Sequence, residues 1–175
     1  MMVNWFLPET DLTRELIRQG DVPGIRAQFQ KHPELIQARD VSEGSLLAFA
    51  ARQEPPSFEV IRLLIESGLP IDGVNQSGEC ALSLVVRKGE VEIARWLIDH
   101  GADANVSAWP MIEAVSLGNL ELVKLFVQHG ADINCVFGHP KSTPLSQAYD
   151  YGHQEVAAYL LSLGATMPKG KRPQK

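Results

Sequence analysis

The chain has 175 residues, 45% of them hydrophobic and 21% charged, with 21 Asp/Glu against 16 Lys/Arg for a formal net charge of −5. This is the composition of a soluble globular protein, long enough for one domain with a core and without the roughly 18-residue apolar run that a membrane helix needs. Two cysteines make no disulfide framework. Outside the tail KGKRPQK (169–175) there are 12 basic and 21 acidic residues, a balance that argues against a body built to grip a phosphate backbone.

The N-terminus, MMVNWFLPETD, has no basic residue ahead of its apolar patch. No signal peptide is read there, and the cytoplasm is the expected location. Without a secretory signal, NQS (75–77) and NVS (105–107) match the glycosylation acceptor pattern by coincidence. Residues 11–36 read as a degenerate pair of helices. Leu16, Ile17, Ile25 and Phe29 would face the next unit, while Gln19, Gln28, Gln30 and Lys31 keep the outer side solvated. Trp5, Phe6 and Leu7 are expected to fold over that end.

Further along, the chain repeats itself. WLIDHGADAN (96–105) returns as LFVQHGADIN (125–134). Gly68, Gly101, Gly130 and Gly164 each close an apolar segment, at spacings of 33, 29 and 34. Eight residues before them stand Val60, Ile93, Leu122 and Val156; four before stand Leu64, Leu97, Phe126 and Leu160. Self-similarity at such a period is the mark of a repeat architecture. Each unit reads as two short helices. In the second, 79–89 is one apolar helix and 90–101 the next, with Val91, Ile93, Ala94, Leu97 and Ile98 as a wide apolar stripe. Gly101 then supplies a left-handed cap. The periodic Asp72, Asp103 and Asp132 favour a structural role in the loops that follow.

The helix starts carry the resemblance. TPLSQA (143–148) is matched more weakly by CALSLV (80–85), SLLAFA (45–50) and WPMIEA (109–114), and GHQEV (152–156) by GEVEI (89–93) and GNLEL (118–122). With these motifs in register over about 39–168, the chain resembles the ankyrin-repeat family. The resemblance implies an all-α solenoid of stacked helix pairs, four repeats behind a degenerate N-terminal capping pair. The expected boundaries are one domain over 1–168, with the cap at 11–38, repeats at about 39–74, 75–106, 107–135 and 136–168, and a disordered basic tail from 169. Thr143 should cap its helix with Pro144 in the first position. The family's histidine is missing from the T-P-L-H position: Ala48, Ser83, Ile112 and Ser146 stand there, so its hydrogen bonds must be replaced or absent. The link before WPMIEA is about four residues short, so no full finger is expected at 105–108. Trp109 is expected to plug that shortened loop; exposed, it would join Phe137 as a contact aromatic. The link before TPLSQA is slightly long, and 52–59 forms a Pro-stiffened turn between two helices. At the far end Tyr149, Tyr151 and Tyr159 should make an amphipathic cap.

No phosphate loop, nucleotide fingerprint, nucleophile elbow or zinc pattern occurs. Cys135 and His139 are near in sequence but have no third group. No catalytic residue, metal or cofactor is expected. What remains is surface. The resemblance implies a non-catalytic protein-interaction module that meets its partner on a concave face. From the first helices that face takes Phe49, Arg52, Gln53, Leu84, Arg87, Lys88, Glu113, Ser116, Leu117, Gln147, Asp150 and Tyr151. From the loop tips it takes Glu43, Gln76, Ser77, Glu79, Val136, Phe137 and His139. Phe49 and Leu84 have a core alternative. Basic residues on the early helices and acidic ones on the later suggest a charge-graded surface. The acidic body points to a basic protein partner, met by a monomer, and in a narrower version to an inhibitor or immunity protein that neutralises a toxin. The alternatives are a ligand-binding or enzymatic site hidden in the solenoid, or nucleic-acid contact through the basic tail.

Overall fold

The computed structural model describes residues 8–40, 44–138 and 141–168. Among them ten α-helices follow one another in pairs: α1 (Pro8–Gln19) and α2 (Val22–Lys31), α3 (Leu46–Arg52) and α4 (Phe58–Glu66), α5 (Ala81–Arg87) and α6 (Val91–Asp99), α7 (Trp109–Ser116) and α8 (Leu120–Gln128), α9 (Pro144–Asp150) and α10 (Gln154–Ser162). The strands among the described residues are two short antiparallel pieces, β1 (Arg39–Asp40) and β2 (Gly44–Ser45), with Arg39 opposite Ser45. The fold is therefore an all-α repeat. Trp5, Phe6, Leu7 and the tail from 169 lie outside the described residues.

Two compact units divide the chain, one ending at Val85 and one beginning at Val86. In the first, α1 packs on α2 and α3, and α4 packs on α2 and α3. Ile17, Ile25, Phe29, Leu46, Leu47 and Leu64 are buried there, while Leu16 is only half-buried. In the second, α7 packs on α8 and α9, α8 on α6 and α10, and α9 on α10. Ile93, Leu97, Leu122, Phe126 and Leu160 are buried, as the apolar stripes at helical spacing require. First helix meets first helix, and second meets second, within each unit.

Local chemistry sets the helix limits. Gly101 stands at φ +93°, its N–H donating to Ile98 O (3.0 Å) and that of Ala102 to Leu97 O (2.9 Å). This is the left-handed cap expected there, closed two residues earlier than the apolar pattern suggests. Thr143 caps α9. Its Oγ1 accepts from the Ser146 N–H (3.4 Å), and Ser146 Oγ accepts from the Thr143 N–H (2.9 Å). Ser83 reproduces part of this: its Oγ accepts from the Cys80 N–H (3.0 Å) and donates to Cys80 O (2.9 Å). Serine thus supplies locally what the missing histidine would. Ala48 and Ile112 cannot. Before Ala48 the cap comes from Ser45 Oγ alone (3.3 Å), and α7 starts after Ala108 with no side-chain cap. The first helix of the chain begins at Pro8, three residues ahead of expectation, because proline is tolerated in a first turn and Glu9 and Asp11 suit its positive end.

The repeated HGADxN stretch is explained by its hydrogen bonds. Asp103 Oδ1 accepts from the Asn105 N–H and Asp132 Oδ1 from the Asn134 N–H, both at 2.8 Å, folding each loop on itself. The asparagines then reach the next loop. Asn105 Nδ2 donates to Gly130 O (2.9 Å), and its Oδ1 accepts from the Asp132 N–H (2.8 Å). Asn134 Oδ1 accepts in the same way from Thr166 N–H (2.8 Å). The aspartate shapes a loop, and the asparagine ties it to its neighbour.

The links differ as their lengths predict. Before α9, Phe137 and Ser142 form an antiparallel bridge. Before α7, residues 104–108 hold only turns and bends. Trp109 is not buried there, as expected, but partly exposed. It opens α7 beside an uncapped turn, so its indole has no closed finger to shield it. Of the three tyrosines, Tyr149 and Tyr159 are half-buried and Tyr151 is exposed.

Candidate protein-binding surface

In the first unit, α3 presents Phe49, Arg52 and Gln53, all partly exposed. Phe49 is neither bare nor core. The guanidinium carbons of Arg14 and Arg18, one turn apart on α1, lie 5.4 and 5.2 Å from its ring centroid. Arg52 Nη2 donates to Glu79 Oε2 (3.2 Å), which also accepts from Asn75 Nδ2 (3.1 Å). Gln53 Nε2 donates back to Phe49 O (2.8 Å). At the loop tip Gln76 and Ser77 are exposed, and the Ser77 N–H donates to Asn75 Oδ1 (2.9 Å). Glu43 lies outside the described residues.

Leu84 is 3% exposed and belongs to the core, its stated alternative. It sits in a helix whose residues 81–86 are all buried, so alignment to an outward position fails there.

In the second unit the ends of α7 and α9 are bonded together. Gln147 Nε2 donates to Ser116 Oγ (3.1 Å), and His153 Nε2 lies 2.8 Å from Ser116 O, in donating position. The Tyr151 ring is stacked over His153, centroids 6.1 Å apart and 4° from parallel. Gly118 makes this fit possible: at φ +66°, a Cβ there would meet His153 Nδ1 at 2.5 Å. On this frame Leu117 and Tyr151 are 46% and 59% exposed. Asp150 is exposed beside them, and Lys88 is half-buried. Arg87 Nε donates to Glu113 Oε1 (2.7 Å). The proposed charge grading is therefore largely cancelled within the chain: Arg87 is bound to Glu113 and Arg52 to Glu79. Among the tips, Val136 is exposed, Phe137 is half-buried in its bridge, and His139 lies outside the described residues.

The second helices of this unit spend their charges on one another. Arg95 Nη2 meets Glu121 Oε1 (2.8 Å), and Lys124 Nζ lies 5.7 Å from the Tyr159 ring centroid. His153, Arg14 and Arg18 were not picked out by sequence. The signal for the arginines was their i, i+4 spacing on the capping helix; His153 was hidden in the family-like GHQEV.

Neither thiol is activated. Burial raises the Cys80 pKa, and burial, with Asp132 adding to it, pushes that of Cys135 up to about 11. Among the described residues no cluster of three His, Cys, Asp or Glu could hold a metal. The Cys135 shift makes a testable sign. The folded chain holds this proton more tightly than the unfolded one, so the contribution to stability is full below the ordinary thiol pKa of about 8.5. It is lost as pH rises through about 11. The stability difference between wild type and Cys135→Ser should accordingly shrink across that window, and alkylation by iodoacetamide at pH 8 should be slow. Alkylation of Cys135 as fast as that of a free cysteine would contradict the shift.

Helix pairs in register and loops tied by asparagine define a repeat protein. The family described as ankyrin repeats (3 copies) matches residues 9–108 and 107–169, and the chain belongs to it. No curated protein matches the chain. Ankyrin repeats are general protein–protein interaction modules, and proteins built from them are typically non-catalytic. No helix among the described residues is long and apolar enough to cross a membrane.

Proposed function

We propose that this chain acts by occupying a protein partner through the ends of α7 and α9 and the neighbouring loop tips, with Phe49, Arg52 and Gln53 as a second contact patch. The supporting observation is the pair Leu117 and Tyr151, large apolar side chains left in water on ends that Ser116, Gln147 and His153 hold in place. An ordered tyrosine beside an apolar neighbour that helps exclude water is the pattern of an interface hot spot. The acidic excess of residues 1–168 favours a basic partner. On this reading the chain works as a monomer in the cytoplasm, and its narrower role is an inhibitor that neutralises a toxin by covering it.

The test is partner capture by wild type beside two double variants of matched exposure. Leu117→Ala/Tyr151→Ala removes the proposed contacts; Leu161→Ala/Leu163→Ala removes exposed leucines at the end of α10. Two hot spots at about 2 kcal/mol each would weaken binding by roughly three orders of magnitude if they add. The first variant should lose the captured protein with its melting curve unchanged, and the second should keep it. Equal recovery from both would place the interface elsewhere.

A further inference from the structure

The shortened link before α7 leaves a gap, and the gap has a definite shape. A cavity of about 380 Å³ opens there. Ala104, Ala108, Met111 and Val136 form its apolar side, and Asn105, Ser107, Asp132 and the Cys135 thiol complete the lining. Ligand sites span about 300–1,000 Å³, so this one stands at the small end of the range, with room for a single large side chain.

Its walls are fixed before anything binds. Asn105 bonds to both Gly130 O and the Asp132 N–H, which clamps the two loops on either side. A site held in this way loses little freedom on binding. Met111, at its floor, offers the thioether that packs well against an aromatic edge. Asp132 is exposed at the rim, and its charge is felt inside, where it adds to the effect of burial on the Cys135 thiol. Ser107 Oγ is buried with no hydrogen-bond partner among the described residues.

We propose that this notch receives one aromatic side chain of the protein partner, flanked in the partner's sequence by lysine or arginine. The inference rests on the protein-binding reading above and adds to it the chemistry of the inserted segment. The apolar side with its Met111 sulfur suits the face of an aromatic ring, and the Asp132 carboxylate suits the neighbouring cation. A ring seated in this notch also gives a contact that the exposed Leu117 and Tyr151 do not.

The test is a titration of the ¹⁵N-labelled full chain with three blocked peptides: Lys-Trp-Lys, Lys-Ala-Lys and Glu-Trp-Glu. Lys-Trp-Lys should shift the amides of Ala104–Ala108 and Asp132–Val136 saturably, and the other two should bind at least about tenfold more weakly. Asp132→Asn keeps the acceptor for the Asn134 N–H and removes only the charge; it should weaken Lys-Trp-Lys by about threefold or more. Val136→Lys, at an exposed position, should weaken it as well. No saturable shift at these amides, or equal binding of Glu-Trp-Glu, would overturn the proposal. So would indifference to Asp132→Asn. Shifts confined to Leu117, Gln147 and Tyr151 would overturn the notch while leaving the wider protein-binding surface standing. Failure of that surface is read separately, from partner capture by Leu117→Ala/Tyr151→Ala.

Discussion

Leu97→Ala is expected to lower the unfolding free energy by about 2–5 kcal/mol, the range for truncating a buried leucine. Leu97 is 0% exposed, on α6, and its carbonyl accepts the Ala102 N–H that closes the helix. Removing its side chain opens a cavity in the core of this unit, on a helix that packs against α8. The whole stability of a domain is about 5–15 kcal/mol, so the loss is a large share of it. In a repeat protein it falls on the term that couples neighbours, since no helix pair buries its own apolar face. Urea denaturation checks it. The midpoint should fall clearly for Leu97→Ala and stay within about 0.5 kcal/mol of wild type for the exposed Tyr151→Ala. An unmoved midpoint would remove Leu97 from the core.

Asn105→Ala should cost roughly 1–3 kcal/mol, from two hydrogen bonds worth about 0.5–1.5 kcal/mol each. Its amide both donates to Gly130 O and accepts from the Asp132 N–H, and alanine can do neither. Asn105→Asp is the sharper variant. A carboxylate keeps the acceptor for the Asp132 N–H but cannot donate to Gly130 O, and it adds a negative charge near Asp103 and Asp132. Thermal unfolding should rank wild type above both variants, with Asn105→Asp recovering at low pH where the carboxyl is protonated. Wild-type behaviour of both would mean that the repeated asparagine does not tie the loops.

The repeat was legible because it rests on local rules. Glycine after the last turn, apolar residues at 3.6 spacing and Thr143-Pro144 at a helix start each have a short-range cause, and each stands where the sequence puts it. The recurrence of Asp and Asn was legible too, though not the bonds they make, since Asn105 finds its partners 25 and 27 residues on. The surface was less legible for the same reason. Alignment tells which side of a helix a residue occupies but not what lies over it. Arg14 and Arg18 come from another helix to cover Phe49, and Glu113 lies 26 residues from the Arg87 it binds. Leu84 was placed outward by register and is buried, because the helix that carries it is buried on every side up to Val86, with the polar Ser83 satisfied by Cys80. The short spacing of 29 between Gly101 and Gly130 did mark the irregular link. It could not say that the gap stays open, nor that Trp109 leaves it unplugged.

Native-state hydrogen exchange on wild type and Leu97→Ala tests most directly whether adjacent helix pairs hold one another in place. Slow amides in α6 and in α8, such as those of Ile98 and Phe126, should share one opening free energy in the wild type. That free energy should fall by the same amount in both helices when only Leu97 is truncated. Protection lost in α6 while α8 keeps all of its own would contradict the account.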